Sequence, residues 1–170
     1  MFILTTPRLT LRQIVLHDAE FMLRLLRSPG WLNHIGDRNV HSIADAESYL
    51  STKVIPNYEK FGFGFYLMET RDKGTQVGIC GLVQRTGLVD ADIGYALLPE
   101  YEGLGYALEA ARATLEYGYQ VHQLERIVAI TSENNQRSTS LLKKLGMNYE
   151  KMIKLPDDEE SLMLFSHEIK

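Results

Sequence analysis

In "RLTLRQI", residues 8–14, apolar and polar positions alternate, with Leu9 and Leu11 on one side and Arg8 and Arg12 on the other. That is the period of a half-buried strand, and it leaves both arginines to solvent. The period then lengthens. In "HDAEFMLRLLRS" the apolar residues Phe21, Met22, Leu25 and Leu26 recur at helical spacing, and Pro29-Gly30 ends the run. A second helix starts in "HSIADAESYLSTKVIPNYEKFG", where Ser42 and Asp45 resemble a capping box and Ile43, Ala46 and Leu50 form an inner face. Pro56 should kink or end it. Strand patterns follow in "FGFYLMET", "TQVGICGLVQ" and "ADIGYALL", separated by the turn "RDKG" and a turn near Thr86 and Gly87, which predicts an antiparallel meander.

The next helix opens within "YEGLGYALEA" and carries Leu104, Leu108, Ala111 and Leu115 as a core-facing stripe. "ERIVAIT" is a nearly continuous apolar strand reached through that helix, so it should lie parallel to "ADIGYALL" and be covered on both faces. "NNQRSTSLLKKLG" reads as a short helix capped by Asn135 and closed by Gly146. Two strands, "MNYEKMI" and "SLMLFSHEI", flank the acidic turn "PDDEE". The predicted class is α+β, a mixed sheet, mostly antiparallel, with one parallel pair.

Composition narrows the function classes. The 170 residues, 45% hydrophobic and 24% charged, suit one domain spanning residues 1–170. A net charge of −4 argues against a general nucleic-acid binder, which needs a basic face. No apolar run approaches the ~20 residues of a membrane span, and the N-terminal run is too short for a signal peptide, so neither nucleic acid nor membrane is an expected partner. The single cysteine, Cys80 in "VGICGLV", forms no internal disulfide and reads as inert core, consistent with a cytoplasmic protein. His17, His34, His41, His122 and His167 show no metal-ligand spacing, so no metal is expected.

Gly103 and Gly105 occupy a helix start where Ser or Asp would cap better. Either the turn is tight for its own sake, or an anion approaches bare backbone amides at the positive end of the helix dipole. A nucleotide P-loop would need Lys and Ser or Thr after the second glycine, where Tyr106 and Ala107 stand. A dinucleotide fingerprint would need a small residue at Leu108.

Taken together, "DADIGYALLPEYEGLGYALEA" and "ENNQRSTSLLKKLGM" resemble the GNAT superfamily of acetyl-CoA-dependent N-acetyltransferases. The opening "TPRLTLRQIVLHDAEFMLRLLRSPGWLNHIGD" resembles its Rim-type branch, the ribosomal-protein N-terminal acetyltransferases and their relatives. The likeness covers about residues 6–165. It implies a twisted sheet of six to seven strands with one splayed parallel pair and about four flanking helices. It also implies a cofactor motif on Glu102, Gly103, Leu104, Gly105, Tyr106 and Ala107, whose amides hold the coenzyme A pyrophosphate. Glu102 departs from that pattern by placing a carboxylate, with Glu100 close by, where the family has a neutral or basic side chain. The pantetheine arm is expected on freed backbone groups at Ala96, Leu97 and Leu98, by strand addition. Asn135 matches the family's coenzyme-contacting asparagine and would equally serve as a plain N-cap. Lys143 and Lys144 are either contacts for the nucleotide phosphate or a solvated helix face, the latter being the expectation.

Acetyl transfer requires a neutral amine. Deprotonation at pH 7.4 costs ~4 kcal/mol for a lysine and below ~1 kcal/mol for a protein α-amine. The implied base is Asp92, acting directly or through water, with Asp90 second; the alternative for Asp92 is a strand-end carboxylate in solvent. The position of the family's acid tyrosine is Leu142, and Ser138 is the implied substitute donor. The expected reaction is direct attack in a ternary complex on acetyl-CoA by an amine, either a protein N-terminal α-amine or a small amine, in a monomer or homodimer. Phe61 to Tyr66, Trp31 and Tyr49 are candidates for the acceptor wall as well as for core. The competing class is a coenzyme-A-binding sensor of the same fold without catalysis, favoured by Glu102 and Leu142.

Overall fold

The computed structural model describes residues 1–169. Eight strands form one sheet: β1 (Phe2–Thr5), β2 (Leu9–Gln13), β3 (Phe65–Thr70), β4 (Gln76–Val83), β5 (Ala91–Leu97), β6 (Arg126–Thr131), β7 (Asn148–Ile153) and β8 (Leu162–Glu168). Their order is β1-β2-β3-β4-β5-β6-β8-β7, antiparallel throughout except between β5 and β6. The expected six to seven strands become eight because "FILT" adds an edge strand, β1, along β2. Its exposed and half-buried side chains lack a clean alternation, so only the neighbouring strand makes it a strand.

The helices are α1 (Ala19–Leu26), α2 (Pro29–His34), α3 (Ile43–Tyr49), α4 (Pro56–Phe61), α5 (Tyr106–Gln120) and α6 (Gln136–Lys144). Pro29 does follow the end of α1, but it also occupies the first turn of α2, where its missing N–H would have had no partner. Similarly, Pro56 opens α4 after a π-helical stretch, Leu50–Val54. Ser42 caps α3 by accepting from the Asp45 amide at 3.0 Å, and Asp45 accepts from the His41 amide at 2.9 Å.

Two hydrophobic clusters sandwich the sheet. In one, Leu9, Leu11, Met68, Leu82 and Ile93 meet Ala110, Ala111 and Leu115 of α5. In the other, Leu67 and Ile79 meet Met22, Leu25 and Leu26 of α1 and Leu50. The central strands are therefore covered on both faces, which is why β4 carries an unbroken buried run.

Arg8 and Arg12 are not free in solvent, contrary to what alternation suggests. Arg12 grips Asp18 with two nitrogens, at 2.8 and 2.9 Å, and reaches Glu69 at 3.0 Å. Asp18 is 3% exposed and also accepts from the Val15 amide and from Gln76. Burial pushes the Asp18 pKa up, but Arg12 and those donors outweigh it and hold the carboxyl below its ordinary value. Because the folded-state pKa lies below the unfolded one, this contribution is present above about pH 4 and is lost as pH falls through the folded-state value. Asp18→Asn should lower the unfolding free energy by about 3 kcal/mol at pH 7. Denaturant titrations at descending pH should show the gap to the unsubstituted protein closing below about pH 4.

Candidate active site

Between β5 and β6 the parallel ladder holds only at Ala91↔Ile127 and Asp92↔Val128. Beyond Asp92 the facing edges separate, while β5 remains paired to β4 as far as Leu97 and β6 remains paired to β8 along its length. A cavity of about 1040 Å³ opens at the split. Among the sequence-predicted residues it is lined by Asp92, Ala96, Leu97, Glu102, Gly103, Gly105, Ala107, Asn135 and Ser138. Leu98, Leu104 and Tyr106 stand outside the lining.

The backbone at the glycine turn is set by two positive φ angles, 75° at Gly103 and 85° at Gly105, the latter being the N-cap of α5. A side chain at either position would be strained by roughly 1–2 kcal/mol. Among the described residues no acceptor pairs with the amides of residues 103–108: neither a cap side chain nor a backbone carbonyl reaches them. They gather at the positive end of a fifteen-residue helix.

Arg8 holds this turn from behind. Its Nη1 donates to Leu104 O at 2.8 Å, its Nε pairs with Glu109 at 2.7 Å, and its guanidinium lies 4.6 Å from the centre of the Tyr106 ring. Glu109 also accepts from Thr6 Oγ1 at 2.6 Å and the Arg8 amide at 2.8 Å. The β1–β2 turn is thus fastened to the first turn of α5. Sequence reading missed Arg8 because its partner lies 101 residues away.

The carboxylates near the turn are both neutralised. Arg137 pairs with Glu102 at 2.5 Å and Arg24 with Glu100 at 2.7 Å. At the opposite end of the split, Asp92 is 1% exposed, which removes the solvated strand-end alternative. Its Oδ2 is bound by Arg85, and its Oδ1 has no partner. Burial raises the Asp92 pKa above the usual carboxylate range, with Arg85 pulling the other way. Asp90 instead belongs to a surface cluster, paired with Arg126 at 3.0 Å.

Asn135 Oδ1 accepts from the Ser138 amide at 3.2 Å, so this side chain caps α6 while lining the cavity. Ser138 Oγ lies 3.0 Å from the Tyr95 hydroxyl, a contact that spacing alone did not reveal. Burial pushes the Tyr95 hydroxyl up to about 12, so it stays protonated near neutrality. Leu142 is buried against the cluster beneath α5 and α6. Cys80 is fully buried, and desolvation pushes its thiol up to about 12, which leaves no thiolate to act as a nucleophile.

Backbone pairing refines the strand edge. The Leu98 amide donates to Val77 O at 3.0 Å, so by strand alternation the polar groups of Leu98 and Ala96 turn to β4. Of the three expected edge positions, Leu97 faces the split, and Tyr95 joins it.

The family model described as an acetyltransferase (GNAT) domain matches residues 8–148. The chain belongs to the GNAT acetyltransferase family. It is 32% identical over 154 residues to the uncharacterized N-acetyltransferase YoaA of Bacillus subtilis, covering 89% of this chain and 86% of that one. As a member of this family it is an N-acetyltransferase. Among solved structures, an acetyltransferase from Agrobacterium tumefaciens superimposes with a TM-score of 0.83 at 22% identity, covering 98% of this chain and 94% of that one. RimL, a ribosomal L7/L12 α-N-protein acetyltransferase in complex with coenzyme A, gives 0.83 at 17% identity over 99% and 98%, and at that identity the likeness is one of fold. Among the described residues of this GNAT chain, no helix is long and apolar enough to cross a membrane.

Replacing Arg8 with Met should leave α5 folded but free the Leu104 carbonyl. Hydrogen exchange at the Glu109 amide, which bonds Gly105 O at 3.1 Å, should accelerate about tenfold relative to amides in the middle of α5, and unchanged protection would show that Arg8 does not hold the turn.

Proposed function

We propose that the chain is one catalytic domain that transfers the acetyl group of acetyl-CoA to a primary amine, in the manner of the Rim-type branch, by direct attack in a ternary complex. The observation that carries this reading is the single cavity joining unpartnered amides at the glycine turn to Asp92 and Ser138. The residues present suit the cofactor: amides 103–108 offer donors to a diphosphate, Leu97 and Tyr95 offer a free strand edge to the pantetheine arm, and Asn135 borders both. Arg137 and Arg24 remove the repulsion that Glu102 and Glu100 would otherwise exert on phosphate. The sensor alternative loses one of its supports with that neutralisation.

When bound, acetyl-CoA supplies an acetyl carbon activated by a thioester. Asp92 Oδ1, buried and unpartnered, accepts a proton from the acceptor ammonium, leaving the nitrogen lone pair for that carbon. Arg85 fixes the other carboxylate oxygen and favours the ionised form against the effect of burial. Ser138 Oγ donates to the departing sulfur and is resupplied by the Tyr95 hydroxyl, which exchanges protons with solvent. With a thiol pKa near 8.5 the leaving group needs modest help, so this pair stands in for the tyrosine that Leu142 replaces.

Asp92→Asn should lower kcat about 100-fold with little change in coenzyme A affinity by calorimetry. As Asp92 must be ionised to act, kcat at saturating substrates should rise with pH along a limb lying above the ordinary carboxylate range. Arg85→Gln should move that limb upward, because it removes the cation that opposes burial. Tyr95→Phe should slow turnover by a smaller factor than Ser138→Ala. Gly105→Val should abolish coenzyme A binding while the protein stays folded; retained affinity would contradict the amide cradle.

A further inference from the structure

On the acceptor side of the cavity, two buried polar atoms of opposite character lack partners. Asp92 Oδ1 accepts no hydrogen bond and Trp31 Nε1–H donates none, although these residues are 1% and 5% exposed. Proteins rarely leave such atoms unpaired without a ligand or water to meet them. Both residues line the same cavity, Asp92 from the split in the sheet and Trp31 from α2.

The charge along this wall is basic. His34 and Arg38 line it together with Trp31, and Arg38 makes no ion pair and no side-chain hydrogen bond among the described residues. Two carboxylates reach the cavity. Asp92 is held by Arg85; Glu102, whose Oε1 lies beside Gly30 at the start of α2, is held by Arg137 at 2.5 Å. Once those pairs are set aside, two basic side chains lining the cavity have no carboxylate partner among the described residues: Arg38 on this wall and Lys144 at the end of α6.

Resting on the acetyl-transfer reading above, we infer that the acceptor is a primary amine that also carries a carboxylate, its nitrogen at Asp92 and its carboxylate toward the Trp31 N–H and Arg38. The arrangement matches both orphaned atoms with groups of the correct kind: an ammonium donates to the carboxylate oxygen, and a carboxylate accepts from the indole and the guanidinium. A polyamine meets only half of it. Its first ammonium suits Asp92, but the next one approaches Arg38, and that like-charge contact selects against it. The carboxylate has two possible sources, the α-carboxylate of a free amino acid or an acidic side chain beside a peptide N-terminus.

The test pairs each acid with its neutral counterpart: alanine with alaninamide, and the peptide Ser-Asp-Ala-amide with Ser-Asn-Ala-amide, with spermidine as the polyamine. At saturating acetyl-CoA the favoured acid should exceed its neutral counterpart about tenfold in kcat/KM, through KM, and should exceed spermidine as well. Which pair shows the difference identifies the source of the carboxylate. Arg38→Gln should remove most of that ratio, Arg38→Lys should restore part of it, and Arg38→Glu should turn the preference toward spermidine. Calorimetric titration of the same compounds into the coenzyme-A-loaded protein reads recognition without turnover. Acid-selective binding that depends on Arg38 would uphold the inference even if no amine were acetylated, a result that would sink only the transfer reading. Equal binding of acid and neutral counterpart, a preference for spermidine, or indifference to Arg38 substitution would overturn it.

Discussion

Neighbouring strands β5 and β6 hold each other for two residue pairs and then let go, and the site exists because of that release. The separation is sustainable because each strand is secured on its outer edge, β5 by the meander through β4 and β6 by β8. An unpaired edge deep in a sheet would normally carry the cost of unsatisfied amides and carbonyls. Here that edge borders a cavity lined from both halves of the sheet and from α2, α5 and α6. The polar groups that the fold leaves open are thus placed where an extended ligand can pair with them.

The same logic governs the glycine turn. Its amides are available because Gly103 and Gly105 take left-handed conformations that turn the chain into α5 without a side-chain cap. A loop of bare donors would be mobile if nothing held it. Arg8 supplies that hold by binding Leu104 O and Glu109 at once, which ties the cradle to the opposite end of the sheet. The acidic residues nearby do not oppose this, since Glu100 and Glu102 each have an arginine partner.

Charge is placed differently at the two ends of the cavity. At the glycine turn the positive character comes from the backbone and the helix dipole, which suits an anionic group without a dedicated basic pocket. At Asp92 one buried carboxylate is balanced by one arginine on a single oxygen, so the other oxygen retains its capacity to accept. Tyr95 and Ser138 lie between these ends, on β5 and α6, with their hydroxyls in contact. A buried carboxylate and a pair of hydroxyls therefore line the same cavity from different elements.

Most of the secondary structure was legible in the sequence, because local periodicity and capping chemistry express it directly. The alternation in β2, the apolar run in β6, the Ser42 cap and the glycine-rich start of α5 all depend on residues near one another in the chain. The GNAT resemblance was carried by two such local stretches. Several features were not legible: β1 as a strand, the pairing of Arg8 with Glu109, the contact of Tyr95 with Ser138, the burial of Asp92 under Arg85, and the neutralising of Glu102 by Arg137. Local pattern does not encode a partner 35 or 101 residues away, the separations of the Arg137–Glu102 and Arg8–Glu109 contacts. The sequence by itself determined most of the segments that become strands and helices and where a glycine turn leads the chain into α5. Only the tertiary structure decided which charges are cancelled and which polar atoms are left open, because these depend on distances and desolvation that exist only once the sheet has brought its elements together.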